Sequence, residues 1–246
     1  MGATDEALLD AADALADAVD AMAFDEPVTH VYNPLRYARA GHAAYLEKYA
    51  TGPKRVVLLG MNPGPWGMAQ TGVPFGAVPI VRDWLQIHEP IDRPAGEHPK
   101  RPIAGFACGR NEVSGDRLWG LFRDRFGTPQ AFSAEHLVVN HCPLVFMEAT
   151  GRNRTPDKLP KAERGPLLNA CDDHLERCLR VLKPEVVVGI GKYAEARAAA
   201  VVARLNGGAP PRPRVACIHH PSPANPRANA GWAELATAQL EAAGVW

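Results

Sequence analysis

Residues 4–22 place Leu8, Ala12, Leu15, Val19 and Met22 at alternating spacings of four and three. That is one apolar stripe on a helix, with the aspartates largely on its other face, and it predicts a docking helix. A second helix is expected through Leu35–Tyr49, ended by Thr51-Gly52-Pro53. The rhythm then changes to short unbroken runs: Val56-Val57-Leu58-Leu59, Leu137-Val138-Val139, Val186-Val187-Val188 and Val215-Ala216-Cys217-Ile218. Branched runs without polar alternation read as strands covered on both faces, hence a parallel sheet. Helical stretches near 77–87, 115–126, 166–182, 192–205 and 227–242 supply the crossovers and cover both faces. The fold class expected is therefore α/β. Leu167, Cys171, Leu175, Cys178 and Leu182 again show core spacing, so these two cysteines read as packing residues. Glu89–Pro102, rich in proline and charge, reads as an exposed loop. No repeat or second domain stands out, so residues 1–246 are expected to form one domain, with residues 1–26 as an acidic helix packed on it.

Composition narrows the picture. A chain of 246 residues, 46% hydrophobic and 22% charged, can bury a continuous core. No apolar run is long enough to cross a bilayer, and the start Met-Gly-Ala-Thr-Asp-Glu does not resemble a secretory signal. The five cysteines are scattered, odd in number and lack a C-x-x-C pair, which favours reduced thiols in a cytoplasm over a zinc or iron–sulfur site. The Ala- and Arg-rich composition suits a bacterium. Net charge is zero, but the first 26 residues hold eight acids and no Lys or Arg, which leaves residues 27–246 at +8. Such a body suits an anionic partner, although ordinary surface charge accounts for it equally well.

Ligands of open parallel sheets bind beyond the carboxyl ends of the strands, where the loops converge. The first strand exits into Gly60-Met61-Asn62-Pro63-Gly64-Pro65-Trp66-Gly67, the second at Asn140-His141-Cys142-Pro143, and the fourth into His219-His220-Pro221-Ser222-Pro223. Two asparagines and a histidine should meet at one rim. Taken singly, each also reads as a turn former, a cap or a loop residue. Phe75, between Pro74 and Gly76, is either a stacking platform for a planar base or a core plug. Gly189-Ile190-Gly191-Lys192 lacks both the Walker spacing and the full dinucleotide fingerprint, and reads as close strand–helix packing.

The run from Gly60 to Gly76 resembles the first motif of the single-strand-selective monofunctional uracil-DNA glycosylases. His220-Pro221-Ser222-Pro223-Ala224-Asn225-Pro226-Arg227-Ala228-Asn229-Ala230-Gly231-Trp232 resembles their second. Glu112-Val113-Ser114-Gly115, Asn140-His141-Cys142-Pro143-Leu144 and Gly151-Arg152-Asn153-Arg154-Thr155-Pro156 follow the family in order. The resemblance spans roughly residues 30–242. It implies three layers, α/β/α, around a four-stranded, mostly parallel sheet. It implies a monofunctional glycosylase that hydrolyses the bond between uracil and deoxyribose, without metal or other cofactor. The partner implied is uracil-containing DNA, single- or double-stranded, met by a monomer in the bacterial cytoplasm, with no membrane association.

Residue by residue, the resemblance assigns Asn62 to the attacking water, Phe75 to stacking and Asn140 to the uracil edge. Gly60 and Met61 add backbone contacts. His220 bonds the base carbonyl as negative charge develops there, and Pro221, Ser222, Pro223, Ala224, Asn225, Pro226 and Arg227 form a wedge that enters the duplex. Gly64 is expected to leave room for a 5-substituent on uracil. Ala224 stands where animal relatives carry arginine, which makes Arg227 a candidate plug. His141 and His219 read as solvent-exposed neighbours, and Trp66, in place of Phe, as a wall that narrows the pocket. The alternatives are a preference for hypoxanthine or xanthine, a non-catalytic binder of abasic or damaged DNA, and a small-nucleotide-binding α/β protein. The intact Asn62 and His220 weigh against the binder, and the proline-rich wedge weighs against the nucleotide protein.

Overall fold

The unbroken apolar runs pair with one another. In the computed structural model, which describes residues 2–209 and 213–246, β2 (Val56–Gly60), β3 (His136–Asn140), β6 (Val186–Ile190) and β7 (Arg214–Ile218) form one sheet in the order β3-β2-β6-β7. Every pairing in it is parallel. The two inner strands are buried along their whole length, which is why their sequences carry no polar alternation.

Helices flank this sheet: α1 (Ala3–Asp20), α3 (Arg39–Tyr49), α5 (Val113–Phe126), α6 (Pro129–Ser133), α7 (Lys161–Leu182), α8 (Lys192–Arg204) and α9 (Trp232–Ala242). Cys171 and Cys178 pack in the core as their spacing implies. The acidic leader docks through its apolar stripe, with Leu8, Leu15 and Val19 buried. Its aspartates are spent locally, Asp13 on Arg39 and Asp17 and Asp20 on Arg36. These pairs are largely exposed, so burial of the stripe holds the helix far more than they do.

Several boundaries differ from expectation. The 35–49 segment divides into α2 (Pro34–Tyr37) and α3 at Ala38. The 77–87 segment yields only a π-helical turn, Ile80–Trp84, entered from Pro79. The 227–242 segment is a 3-10 turn, Pro226–Ala230, followed by α9, because Gly231 between them has φ +115°. A small antiparallel sheet of β1 (Val28–Tyr32), β4 (Val145–Glu148) and β5 (Asn153–Arg154) adds to the expected elements. Of its strands, β4 with four residues and β5 with two are too short to show alternation. It matters because it folds the chain leaving β3 back toward the mouth of the pocket, bringing Asn153 and Thr155 there.

Gly189 settles against a phosphate loop. A Cβ built there would collide with the backbone N of Glu195 in α8, so the glycine exists for strand–helix contact. Gly189→Ala should cost about 1–3 kcal/mol by overpacking, read as a fall in Tm of several degrees. An unchanged Tm would contradict this packing.

Candidate active site

The pocket lies at the carboxyl end of the parallel sheet. β2 and β3 stay in register to their last residues, Gly60 opposite Asn140. Pairing then runs on, with His141 N–H donating to the Gly60 carbonyl (3.0 Å) and Cys142 N–H to that of Met61 (2.9 Å). Asn62 and Asn140 are thereby held on neighbouring exits. They line one cavity of about 490 Å³ together with Met61, Gly64, Phe75 and His220, a size typical of small-ligand sites. Gly60 lies against both Asn140 and Phe75.

The two amides are not equivalent. Asn62 Nδ2 donates to the carbonyls of Leu144 (3.0 Å) and Pro63 (3.3 Å), and among the described residues its Oδ1 has no partner. Asn140 Oδ1 is buried with no hydrogen-bond partner among the described residues. Its Nδ2 meets only the Met68 sulfur, at 3.3 Å. An unsatisfied buried amide oxygen costs about 1–3 kcal/mol, and a ligand N–H would relieve it.

His220 comes from beyond β7, the strand separated from β2 by β6, so it must reach across the end of β6. Just past that end stands Gly191, at φ +92°, where a Cβ would lie 3.2 Å from the His220 Cβ. His220 Nδ1 accepts from Ser222 N–H at 3.1 Å. A neutral ring accepting at Nδ1 carries its proton on Nε2. Burial lowers its pKa to about 4, so the ring is neutral at physiological pH and is a donor. Its centroid lies 5.9 Å from that of Phe75.

Phe75 is half-buried and lines the cavity, and it has φ +55°, an uncommon conformation for a bulky residue. Its neighbours impose that backbone. Trp119 Nε1 donates to the Pro74 carbonyl (3.0 Å) and Thr71 Oγ1 to that of Gly76 (3.0 Å). A Cβ on Gly115, in α5, would collide with the Phe75 carbonyl. At Gly60 a Cβ would strike Asn140 Oδ1 and stand 2.5 Å from Phe75 Cε2. These motif glycines therefore admit close approaches rather than turns. Buried Gln70 ties the loop down, donating to the Pro65 (3.0 Å) and Pro102 (3.1 Å) carbonyls and accepting from Ala104 and Gly105 N–H.

Glu112, to which the motif resemblance assigns no role, lines the cavity. Its carboxylate occupies the room expected beside Gly64: a Cβ on Gly64 would lie 2.6 Å from Glu112 Oε2, and one on Gly67 would lie 2.8 Å from Glu112 Cγ. Burial raises its pKa, against hydrogen bonds from the Ser114 and Trp66 amides. The two glycines admit a carboxylate instead of leaving a void, which corrects the expectation for Gly64. Ser114, Asn153 and Thr155 also line the cavity. They stand in motifs that follow the family in order, but the resemblance assigns them no role.

Neither extra histidine is a solvent-exposed neighbour. His141 is fully buried, its Nε2 2.8 Å from Asp172 Oδ1 and its Nδ1 3.1 Å from the Tyr193 hydroxyl. Asp172 is paired in turn with Arg197. This network anchors the turn that follows Asn140. His219 is half-buried, its Nε2 3.3 Å from Arg227 Nη1. Arg227 thus contacts His219 while remaining exposed, as Pro223, Ala224 and Pro226 are. The Pro221–Arg227 segment is braced by Asn225 Nδ2 on the His220 carbonyl (3.0 Å), Asn229 Nδ2 on the Pro223 carbonyl (2.9 Å) and Arg117 Nη1 on the Pro221 carbonyl (2.8 Å). Arg117, in α5, carries no sequence signal for this role.

Gly60→Ala should displace Phe75 and Asn140 together. We expect ligand binding and turnover at this pocket to fall by about tenfold or more while circular dichroism stays native. Normal activity would mean that the close approach is dispensable.

Comparisons agree with this geometry. Residues 47–240 match the uracil DNA glycosylase superfamily. The chain is 46% identical over 231 residues, 94% of its length and 84% of the relative's, to the single-strand selective monofunctional uracil DNA glycosylase of Bos taurus. It is 48% identical to the protein of that name in Mus musculus, over 90% of this chain and 78% of the relative. Among solved structures, wild-type Pedobacter heparinus SMUG2 superposes with a TM-score of 0.65 at 16% identity, covering 96% of this chain and 97% of that one, and so shares the fold. On its sequence, its sheet and the motifs that meet in its pocket, the chain belongs to the uracil DNA glycosylase superfamily.

Proposed function

We propose that this protein flips uracil out of DNA and hydrolyses its N-glycosidic bond, leaving an abasic site. The observation that carries this reading is the meeting of two complementary groups in one pocket: the unpartnered Oδ1 of Asn140 and the Nε2–H of a neutral His220. Uracil presents an N–H between two carbonyls. Asn140 would accept from the N–H, and His220 would donate to the carbonyl on which charge collects as the base leaves. Phe75 would stack on the ring. A base inside a duplex cannot reach such a pocket, so it must be extruded at a cost of about a few kcal/mol. The proline-rich segment from Pro221 to Arg227 would fill the gap.

The departing base is a delocalised anion and the sugar becomes oxocarbenium-like, so donors placed in advance matter more than a strong nucleophile. Asn62 fits the modest role left for it, orienting water through its free Oδ1. No lysine stands in the motifs to attack the sugar, so strand cleavage should not follow base removal. The substrate range extends to 5-substituted uracils, though not through empty space at Gly64. The wall there is polar because of Glu112, which favours a hydroxyl-bearing substituent over a methyl group. We read the protein as a monomer acting on single- and double-stranded DNA in a reducing cytoplasm.

Single-turnover incubation with oligonucleotides containing uracil, hypoxanthine or xanthine, followed by alkali, tests the reading. Breaks at uracil that appear only after alkali and persist in EDTA are expected. Silence at uracil with cleavage at a purine would overturn the substrate. His220→Ala should lose about 10²–10³ in rate, and near-normal cleavage would sink the role given to His220. Because His220 works neutral and has a pKa of about 4, the rate should stay flat as pH falls from 8 to about 5. It should drop only as the ring protonates. A rate tracking an ordinary histidine near 6.5 would contradict this.

A further inference from the structure

Beside the pocket mouth, two guanidinium groups share one aromatic ring. Arg101 Cζ lies 5.0 Å from the centroid of the Trp66 ring and Arg110 Cζ lies 5.5 Å from it. Trp66 is itself a wall of the pocket. The ring attracts each guanidinium but leaves its positive charge uncompensated. Among the described residues neither has a carboxylate partner. Arg101 donates from Nε to the Gly151 carbonyl (2.9 Å) and from Nη1 to the Lys100 carbonyl (3.2 Å). Of the acids nearest in sequence, Glu97 faces Arg93 and the Ile103 amide, and Glu112 is turned inward against Gly64 and Gly67. An arrangement that holds two uncompensated cations at a fixed place is completed by an anion.

The surface beyond Arg110 narrows the choice of anion. Arg110 also lines a separate groove of about 540 Å³ with Arg82, Phe106, Asp116 and Arg123. Arg82 and Arg123 are each paired with the adjoining aspartate, Asp83 and Asp124. Arg110 therefore links the pocket mouth to a groove holding an aromatic side chain and further arginines. An aromatic side chain beside a cation without a carboxylate partner is what a single nucleic-acid strand uses.

We propose that Trp66, Arg101 and Arg110 form a phosphodiester-binding site for the strand that carries the flipped nucleotide, and that Arg110 leads this strand into the groove toward Phe106. The proposal rests on DNA being the substrate. The site is separate from the wedge, which is carried by other loops, and it acts on single strands where a wedge has no duplex to enter. Phosphate contacts position without reading sequence, so its signature is salt dependence.

The test is fluorescence anisotropy with a labelled single-stranded oligonucleotide, with and without an abasic site, titrated between about 50 and 200 mM salt. On a single strand, removing one phosphate-neutralising cation makes the slope of log K against log salt shallower by about 0.7. Arg110→Gln should remove one such increment and Arg101→Gln with Arg110→Gln two, with weaker binding at low salt. Arg110 is exposed, so its single variant keeps the result independent of loop folding. Lys183→Gln, where α7 ends before β6 at the other end of the sheet, controls for loss of one charge. A wild-type slope in the double variant, or an equal loss in Lys183→Gln, would overturn the proposal. The binding slope is read without base release, so a failure of uracil excision remains a distinct result.

Discussion

The pocket depends on the absence of side chains at the ends of two adjacent central strands. β2 ends at Gly60, where any Cβ would collide with the Asn140 amide and crowd Phe75, and β6 is followed by Gly191, over which His220 passes. The parallel register supplies the rest. With Gly60 opposite Asn140 and Ile190 opposite Ile218, the residues two steps past β2 and β7, Asn62 and His220, arrive at one rim. The sheet's own hydrogen bonding thus sets the distances among these side chains, and the loops refine them.

That frame explains why buried polar groups gather here. A core built only for stability leaves few such groups unpaired. Asn140 keeps an unpaired oxygen, His220 is desolvated into its neutral form, and Phe75 holds a left-handed backbone. Each feature costs stability by itself, and each becomes useful when a planar base with alternating acceptors and a donor fills the space. The surrounding network offsets the cost of fixing these groups: Gln70 with all four of its hydrogen-bonding positions engaged, Gly115 against the Phe75 carbonyl, and the His141–Asp172–Arg197 chain behind Asn140.

Much of the fold is legible in the sequence because burial on both faces leaves unbroken runs such as Val186-Val187-Val188, and the strand exits point to Asn62, Asn140 and His220 together. What escapes has physical reasons. β4 and β5 are too short to show a period, and the segment at 77–87 forms only one π-helical turn, entered from Pro79. Glu112 is invisible as a pocket wall because a carboxylate under two glycines leaves no local pattern, and Gly64 reads as empty room. His141 looks like a loop residue because its partners, Asp172 and Tyr193, lie more than thirty positions away. The neutral state of His220 follows from the Ser222 amide and from burial, neither of which a sequence displays.

The most direct test of the central claim is nitrogen-detected NMR of the His220 ring at neutral pH, free and with added uracil. The account predicts a neutral ring protonated on Nε2, whose Nε2 resonance shifts when uracil binds while Nδ1 stays bonded to the Ser222 amide. An imidazolium, an Nδ1-protonated tautomer, or a ring indifferent to uracil would contradict it.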